Sequence, residues 1–233
     1  VIFLEDYQEY KELYQITDYF SQKCRVRCIF NLKEDKNILD LFQENKTKIY
    51  NNLKKNKEKL TFHNINEYIW RHFRQCTNFN TTVVVSVIKL FNAKKMLDFS
   101  AGWGDRLIGA IATGIDYTGV DPSNCMNPIY EQIINTLTES KSKYRIIQDG
   151  FENVKLKDSI YDLVFTSPPF FDLEIYEDDD TQSIEKFKSV AKWRDGFLFP
   201  SIKKSYKCLK VKGHLALYIT DYKKTSVSLS LTP

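Results

Sequence analysis

Residues 95–124 read KMLDFSAGWGDRLIGAIATGIDYTGVDPSN. The stretch begins as a short apolar strand ending in Asp98, turns through glycines into a helix of small residues, and closes with a second strand ending in Asp121. Units of this kind bind nucleoside-containing cofactors at the carboxyl ends of parallel strands. The stretch therefore predicts an α/β, Rossmann-like fold with a mostly parallel twisted sheet and helices on both faces.

The glycine-rich turn does not match a dinucleotide or phosphate site. Leu107 stands where the third glycine of G-x-G-x-x-G would lie, and the stretch contains no G-x-x-x-x-G-K-[ST]. A carboxylate at Asp98 would repel a pyrophosphate but suits the amino group of a cationic cofactor such as S-adenosylmethionine. Asp121, 23 residues further on, can accept hydrogen bonds from both hydroxyls of a ribose. A tight turn without a ligand is the alternative.

These residues resemble the class I S-adenosylmethionine-dependent methyltransferases. Residues 98–105 (DFSAGWGD) are similar to the first motif of that family, and residues 120–122 (VDP) are similar to its second. Residues 148–151 (QDGF) stand where the family places an acid and a neighbour that flank the adenine ring. The resemblance implies S-adenosyl-L-methionine as the cofactor.

The same resemblance implies roles for individual residues. It implies methionine-end contacts by Asp98, Gly102 and Gly104, a ribose contact by Asp121, and adenine contacts by Asp149 and Phe151. The whole expected cofactor-binding set is Asp98, Ser100, Gly102, Trp103, Gly104, Asp121, Pro122, Asp149, Gly150 and Phe151. Capping of the following segment is the alternative role for Asp149.

A second motif, Ser-Pro-Pro-Phe, follows the apolar strand YDLVFT directly. Two prolines make the turn rigid and remove two backbone donors. Ser167 and the carbonyl of Pro168 can then accept both hydrogens of a planar amino group, which directs the nitrogen lone pair at a methyl donor. Phe170 offers a flat face on which a base can stack. A plain turn that ends a strand is the alternative.

The turn resembles the (Ser/Asp/Asn)-Pro-Pro-(Tyr/Phe/Trp) catalytic motif of methyltransferases that act on exocyclic amines of bases. The resemblance implies methyl transfer to adenine N6 or cytosine N4, with Ser167, Pro168, Pro169 and Phe170 as the catalytic residues. Serine in the first position is commoner in the cytosine enzymes, and phenylalanine in the fourth is less usual than tyrosine. Residues 166–183 resemble the extended form in phage-like and bacterial DNA methylases, which favours DNA over RNA.

Charge is distributed unevenly, although the chain has 34 basic and 30 acidic residues and a net charge of only +4. Residues 46–60 hold six lysines and one glutamate, whereas residues 172–180 are strongly acidic. We expect substrate contacts from Arg71, Arg74 and these lysines, together with Phe171, and we expect the acidic segment to act as a lid. Solvated surface is the alternative for both segments.

The pattern divides the chain into a helical, Lys/Asn-rich accessory segment (1–62) and a methyltransferase domain (63–233). Residues 81–91 are β-branched, as in a strand, but their apolar side chains also share one helix face, so we expect a helix. Arg74 and residues 78–81 (NFNT) stand where the resembled family often places a segment around the methionine end of the cofactor. Capping of that helix by Asn80 or Thr81 is the alternative. We expect strands at 95–99, 116–121, 144–148, 160–166, 214–219 and 225–231, the last antiparallel, and helices at 104–113, 127–139 and 193–209.

Five cysteines are few and odd in number, which predicts no disulfide framework and favours a reducing intracellular compartment: cytoplasm, nucleus or a virus- or phage-infected cell. Cys24 and Cys28 have no second pair at metal-ligand spacing, so no metal site is expected. No run reaches transmembrane length and no signal peptide is visible, so no membrane partner is expected. The initial valine and abrupt end predict a trimmed or partial chain.

Three alternatives to DNA methylation stay open. RNA, including cap-adjacent adenosine, is the first. Protein glutamine methylation is the second, although such enzymes usually carry Asn first and Tyr fourth in the motif. A catalytically idle nucleic-acid-binding subunit is the third. Because only 63 residues follow Phe170, we expect target recognition from the first 90 residues, from a partner subunit, or from missing sequence.

Overall fold

The computed structural model describes residues 14–30, 36–171, 173–176 and 181–219. The chain first forms α1 (Tyr14–Arg25), β1 (Ile29–Phe30), α2 (Ile38–Lys55), α3 (Phe62–His72) and α4 (Thr81–Leu90). It continues through β2 (Lys95–Asp98), α5 (Asp105–Thr113), β3 (Asp116–Val120), α6 (Asn127–Leu137), β4 (Tyr144–Ile147), β5 (Tyr161–Thr166) and β6 (Glu174–Ile175). It then forms α7 (Ser183–Lys186), α8 (Val190–Trp193), a π-helical turn (Arg194–Leu198), α9 (Phe199–Cys208) and β7 (Leu209–Leu217).

Five strands form one parallel sheet in the order β4-β3-β2-β5-β7. In chain order these strands are first to fifth, so the spatial order is third, second, first, fourth, fifth, and winding reverses between β2 and β5. This is the doubly wound order of Rossmann-like folds, and it confirms the predicted α/β class.

The sheet is buried on both faces, as its near-continuous apolar strands predict. Successive residues of β2 point in opposite directions: Met96 packs into the core cluster with residues of α4, α5 and α6, and Leu97 packs into the cluster with Phe197 and Cys208. Neither Met96 nor Leu97 is exposed at all. Two helical layers therefore enclose the sheet and leave its strand ends to form a site.

The ambiguous stretch after residue 80 is a helix, as expected. The Asn80 side chain accepts a hydrogen bond from the Thr82 N–H at 2.9 Å and so caps α4. Val84 and Ile88 face the core. Capping is therefore the role of Asn80 in this structure.

Strand β7 and the two short strands β1 and β6 differ from expectation. Strand β7 begins at Leu209, not 214, because it pairs with β5 from Tyr161↔Leu209 onward. Its lysines are tolerated because β7 lies at the edge of the parallel sheet among the described residues. The two-residue strands β1 and β6, which pair antiparallel, are too short to give a periodic signal. The expected strand at 225–231 lies outside the described residues.

The described part of the expected accessory segment, residues 14–30 and 36–62, does not form one unit. Helix α1 packs against α5 and α6, and β1 pairs with β6, so residues 14–30 join the main body of the fold. Helices α2 and α3 instead form a hairpin around a separate apolar cluster, which includes Ile49 and Leu53.

The prediction that the cysteines are unpaired was wrong. Cys24 bonds to Cys125 and Cys28 bonds to Cys76, while Cys208 is buried and free. The bonded cysteines are 101 and 48 residues apart in the sequence, so their spacing does not indicate which cysteines pair. The odd number of cysteines also argued against disulfides, although four of the five are paired. The expectation of a reducing compartment rested on unpaired cysteines and loses that support.

None of the helices within the described ranges is both long enough and apolar enough to cross a membrane.

Candidate cofactor and catalytic site

A cavity of about 360 Å³ opens at the carboxyl ends of the parallel strands. It spans the point where the winding of the sheet reverses, which is where open α/β sheets bind ligands. Its volume is within the range of small-molecule sites, roughly 300–1,000 Å³. Ten of the residues expected from the sequence line it: Ser100, Gly102, Trp103, Asp121, Pro122, Asp149, Gly150, Phe151, Ser167 and Pro169.

Asp98 does not line this cavity. Its carboxylate accepts hydrogen bonds from Arg106 Nε at 2.7 Å and from the Tyr117 hydroxyl at 2.9 Å. Asp98 is completely buried, and Arg106 is 4% exposed. A charge already neutralised by a buried guanidinium is not available to the amino group of a ligand. This differs from the expectation that Asp98 holds the methionine end directly.

Arg106 instead fixes the shape of the glycine-rich turn. It also donates to the Ser100 carbonyl, so one guanidinium joins the end of β2, the turn and α5. The charge of Asp98 holds the pKa of Arg106 above its ordinary value despite burial. Asp98 and Arg106 therefore position the residues that do line the cavity.

The two expected glycines have different roles. Gly102 lines the cavity with φ +57°, a left-handed conformation that favours glycine. Gly104 lies behind the wall with φ +93°, and a Cβ there would lie 2.8 Å from Ile133 Cδ1. Gly104 is thus required for close packing of the turn on α6, and it does not line the cavity.

Asp121 does line the cavity, at the end of β3. Its carboxylate accepts the Gly102 N–H at 2.8 Å and the Ser123 N–H at 3.0 Å. Burial raises its pKa to about 6, in spite of these hydrogen bonds, and the nearby charge of Asp98 acts in the same direction. Since a carboxylate has about four acceptor positions, Asp121 keeps capacity for the hydroxyls of a ligand.

Asp149 both lines the cavity and caps its own loop. Its Oδ1 accepts the Gly150 N–H at 2.7 Å and the Asn153 side-chain amide at 2.8 Å. The alternative role weighed from the sequence is thus present, together with exposure to the cavity.

Lys204 on α9 binds the segment 149–154, which forms one wall of the cavity. The sequence did not identify this lysine as part of the site. Its Nζ donates to the carbonyls of Phe151, Glu152 (3.1 Å) and Val154 (2.9 Å). Partial burial lowers the pKa of Lys204. The Phe151 ring stacks on Phe99 with centroids 4.9 Å apart and an interplanar angle of 14°, so the wall presents aromatic surface. A single lysine on an amphipathic helix gives no signal that it binds a loop about fifty residues earlier.

The Ser-Pro-Pro-Phe turn is divided between the cavity and its surroundings. Ser167 and Pro169 line the cavity, whereas Pro168 is buried and Phe170 is half-buried outside it. The Phe170 ring meets Tyr218 edge-on at 6.5 Å. Phe170 therefore belongs to an aromatic cluster beside the cavity.

Phe79 links that cluster to the core. Its ring meets Tyr218 at 5.1 Å and Phe165 at 5.7 Å, both edge-on. The backbone N–H of Phe79 donates to Asp105 at 3.0 Å. Burial raises the pKa of Asp105 to about 6.

The N-terminal part of the chain and the segment after the turn also supply wall residues that were not expected. Cys24 and Cys125 line the cavity as a disulfide. Tyr176 lines it too, with its ring 5.6 Å from that of Trp103. The Gln182 side chain accepts the Tyr176 N–H at 2.9 Å, which holds this side of the cavity in place.

Three expected substrate residues lie away from the cavity. Arg71 and Arg74 are exposed on or just after α3, and Arg71 pairs with Glu67 at 3.4 Å. Phe171 is half-buried with φ +53°. Of the expected acidic lid, residues 173–176 are described and Tyr176 reaches the cavity; residues 172 and 177–180 lie outside the described ranges.

No protein-family model matches the chain, and no curated protein matches it. Solved structures with a similar fold include the CcbJ methyltransferase from Streptomyces caelestis, with 14% identity over 59% of this chain and 47% of that one, at a TM-score of 0.41. The glycopeptide N-methyltransferase MtfA complexed with S-adenosyl-L-methionine has 13% identity over 63% and 51%, at 0.44. A putative S-adenosyl-L-methionine-dependent methyltransferase from Methanococcus maripaludis has 20% identity over 59% and 53%, at 0.41. The matched part spans about half the length of these proteins, and likeness at this level does not assign a ligand or substrate.

Proposed function

We propose that this chain is an S-adenosylmethionine-dependent methyltransferase that acts on the exocyclic amino group of a nucleic-acid base, adenine N6 or cytosine N4, with DNA favoured over RNA. One observation carries the proposal. Ser167 of the Ser-Pro-Pro-Phe turn lines the same cavity as Asp121 and Phe151. Residues suited to bind a nucleoside and a turn suited to bind an amine therefore line the same cavity, as methyl transfer between two bound ligands requires.

The wall fits S-adenosylmethionine by its donor set. Asp121 is an acceptor for the ribose hydroxyls, and Asp149 beside Phe151 offers a carboxylate and an aromatic face for adenine. Because Asp98 is paired with Arg106, the methionine end would meet the backbone of the turn at Gly102 and Trp103. When bound, this cofactor supplies an electrophilic methyl group on a sulfonium centre.

The turn supplies acceptor atoms for the substrate amine. Ser167 Oγ, on a residue that lines the cavity, accepts one N–H group. The acceptor proposed for the second is the carbonyl of Pro168, a residue that is buried and does not line the cavity. The nitrogen lone pair is then free to point into the cavity. The nitrogen would form its bond to the methyl carbon as the carbon–sulfur bond breaks and a neutral thioether leaves. It would lose a proton to solvent only afterwards, so a strong base is unnecessary. The prolines hold these acceptors in place before the substrate arrives.

The substrate assignment rests on the type of turn and on the aromatic surface beside it. Phe170, Tyr218 and Phe79 form a contiguous ring cluster, and Phe170 directly follows Pro169 of the cavity wall. Such surface suits a base taken out of its stack. A base in a duplex must be flipped to reach Ser167, whereas a single strand can deliver it directly.

The test is transfer of tritium from labelled S-adenosylmethionine to separate DNA, RNA and protein pools, followed by nucleoside analysis. We expect labelled N4-methylcytosine or N6-methyladenine from DNA. Label in RNA alone would change the polymer, and label in protein alone would overturn the proposal. Failure of the wild-type chain to bind the cofactor in calorimetry would favour an idle subunit.

A matched pair of variants locates the chemistry. Ser167→Ala should abolish most turnover while it leaves cofactor affinity nearly unchanged. Ser183→Ala removes a buried hydroxyl from another residue that lines the cavity and should retain turnover. Equal activity of the two variants would contradict the assigned role of Ser167.

A further inference from the structure

We propose that the hairpin of α2 and α3 (residues 36–74, the basic hairpin) is a docking surface for the phosphate backbone of the nucleic acid whose base enters the cavity. This inference rests on the proposed function. The inference adds a surface that binds the nucleic-acid polymer, because the cavity binds only a single base.

The basic hairpin holds the positive excess of the whole chain. Residues 36–74 contain nine Lys and Arg against four Asp and Glu, a net charge of +5, while the full chain has +4. The residues outside the hairpin therefore have a net charge of −1. Such concentration on one unit is the electrostatic footprint of a polyanion site.

Six of the seven lysines of the hairpin are exposed and form no salt bridge among the described residues. The six are Lys46, Lys48, Lys54, Lys55, Lys57 and Lys59. By contrast, Lys36 and Arg71 do form salt bridges.

The stability of the hairpin explains only some of these lysines. Lys54 and Lys55 lie in the last turn of α2, where the helix dipole favours cations. Lys46 and Lys48 lie mid-helix and have no such reason. Ile49 and Leu53 already bury the apolar face of α2, so unpaired like charges on the other face cost stability that a bound polyanion would restore.

The hairpin lies within short reach of the catalytic turn. From Arg74 the chain arrives at Phe79 in five residues, a span of at most about 18 Å. Phe79 contacts Tyr218, and Tyr218 contacts Phe170 of the turn. A strand of nucleic acid on the hairpin can therefore place one base at the cavity.

The connection between hairpin and turn is anchored. Cys76 is bonded to Cys28, and its carbonyl accepts the Arg25 guanidinium at 3.0 Å. Asn78 donates to Asp18 at 2.7 Å. The path from α3 to Phe79 is thus fixed on α1, so the hairpin keeps its place relative to the cavity.

The chemistry of the surface matches a phosphate backbone. Amino groups act as point charges for phosphates and carry no sequence information. Trp70, 54% exposed next to Arg71, adds an aromatic face of the kind on which unpaired bases stack. The basic hairpin therefore supplies affinity and orientation, and the cavity supplies selection of the base.

The test compares two quadruple variants of the full chain. The first, Lys46→Gln with Lys48→Gln, Lys54→Gln and Lys55→Gln, neutralises the hairpin. The second neutralises four exposed lysines elsewhere: Lys89, Lys141, Lys157 and Lys207. Binding of single-stranded and duplex DNA and RNA is measured by fluorescence anisotropy over a series of salt concentrations. The same arms separate DNA from RNA as the source of the phosphates.

We expect the hairpin variant to lose roughly tenfold or more in affinity at low salt. Its slope of log K against log salt should fall by about 0.9 for each lost contact on a duplex, or about 0.7 on a single strand. Affinity for S-adenosylmethionine should be unchanged, and the thermal midpoint should not fall, because the variant removes repulsion between like charges. Equal losses in both variants, an unchanged slope, or tighter binding to poly-glutamate than to any oligonucleotide would overturn the inference.

Its failure is distinguishable from failure of the proposed function. If wild-type protein transfers label to a nucleic acid and the hairpin variant does so with the same KM, the inference alone is wrong. If wild-type protein transfers no label to any nucleic acid, the proposed function is wrong.

Discussion

Arg106 Nε donates a hydrogen bond to Asp98 Oδ2 across 2.7 Å, and the two charged groups are closed off from solvent. The pair joins the end of the first parallel strand to the helix after the glycine-rich turn. The acid that begins the family-like motif therefore acts on the cavity through an arginine eight residues later.

Breaking this pair should destabilise the protein strongly. Asp98→Asn and Arg106→Met each leave one partner buried without its counter-charge, which costs about 3–5 kcal/mol of unfolding free energy. The double variant should lose less unfolding free energy than the two single variants together, because neither charge is left buried without its counter-charge. Urea denaturation of all four proteins measures this, and strict additivity would contradict the coupling.

Replacing Asp121 by Asn should separate stability from binding. Burial raises the pKa of Asp121 from 3.8 to about 6, so the folded state holds this proton more tightly than the unfolded state. The stabilisation is complete below about pH 4 and is lost as the pH rises through about 6. At pH 7.5 we therefore expect Asp121→Asn to be at least as stable as the wild type.

The same variant should bind S-adenosylmethionine at least about tenfold more weakly, since one charged ribose acceptor becomes a neutral amide. Asp105→Asn is the control. Burial also raises the pKa of Asp105 to about 6, so it affects the same pH window, but Asp105 does not line the cavity. Calorimetry and thermal unfolding between pH 4 and 7.5 report both quantities. Equal loss of affinity in the two variants would contradict the role of Asp121.

The two disulfides should differ in their effect on the site. Removing either by serine pairs should cost about 2–5 kcal/mol of stability. Only Cys24→Ser with Cys125→Ser should also weaken cofactor binding, because this disulfide lines the cavity and the Cys28–Cys76 disulfide does not. Cofactor titrations at a temperature where both variants are folded provide the comparison. A parallel loss in both would show that the effect is only one of stability.

Gly109→Ala should destabilise the protein, although alanine favours a helix by about 1 kcal/mol over glycine. A Cβ at this position would lie 2.5 Å from Val84 Cγ1 and 2.8 Å from Val84 Cβ. Overpacking of this kind costs about 1–3 kcal/mol, which exceeds the gain in propensity. Adding Val84→Ala should recover part of the loss, and a raised thermal midpoint for Gly109→Ala alone would refute the close contact of α4 with α5.

The sequence was informative where function depends on neighbours along the chain. Asp121, Gly102 and Ser167 follow directly from strand ends, so motif and periodicity were enough to bring them to one cavity. Arg106 was overlooked, although a lone arginine in a helix of small and apolar residues is a signal of a buried partner.

Residues that act across long separations were out of reach. Lys204 binds carbonyls that carry no side-chain signature, and Cys24 finds a partner 101 residues away. The start of β7 was placed too late because its first residues are lysine-rich, and only pairing with β5 makes them a strand.

The pairing of Cys24 also has a consequence for synthesis of the chain. At about 5–20 residues per second, Cys24 waits roughly 5–20 s for Cys125 to be made, and Cys28 and Cys76 appear before it. Where thiols are being oxidised, the first bonds available to Cys24 are therefore incorrect ones. The yield of protein with the Cys24–Cys125 disulfide in the cavity wall then depends on thiol–disulfide exchange after the ribosome has passed residue 125.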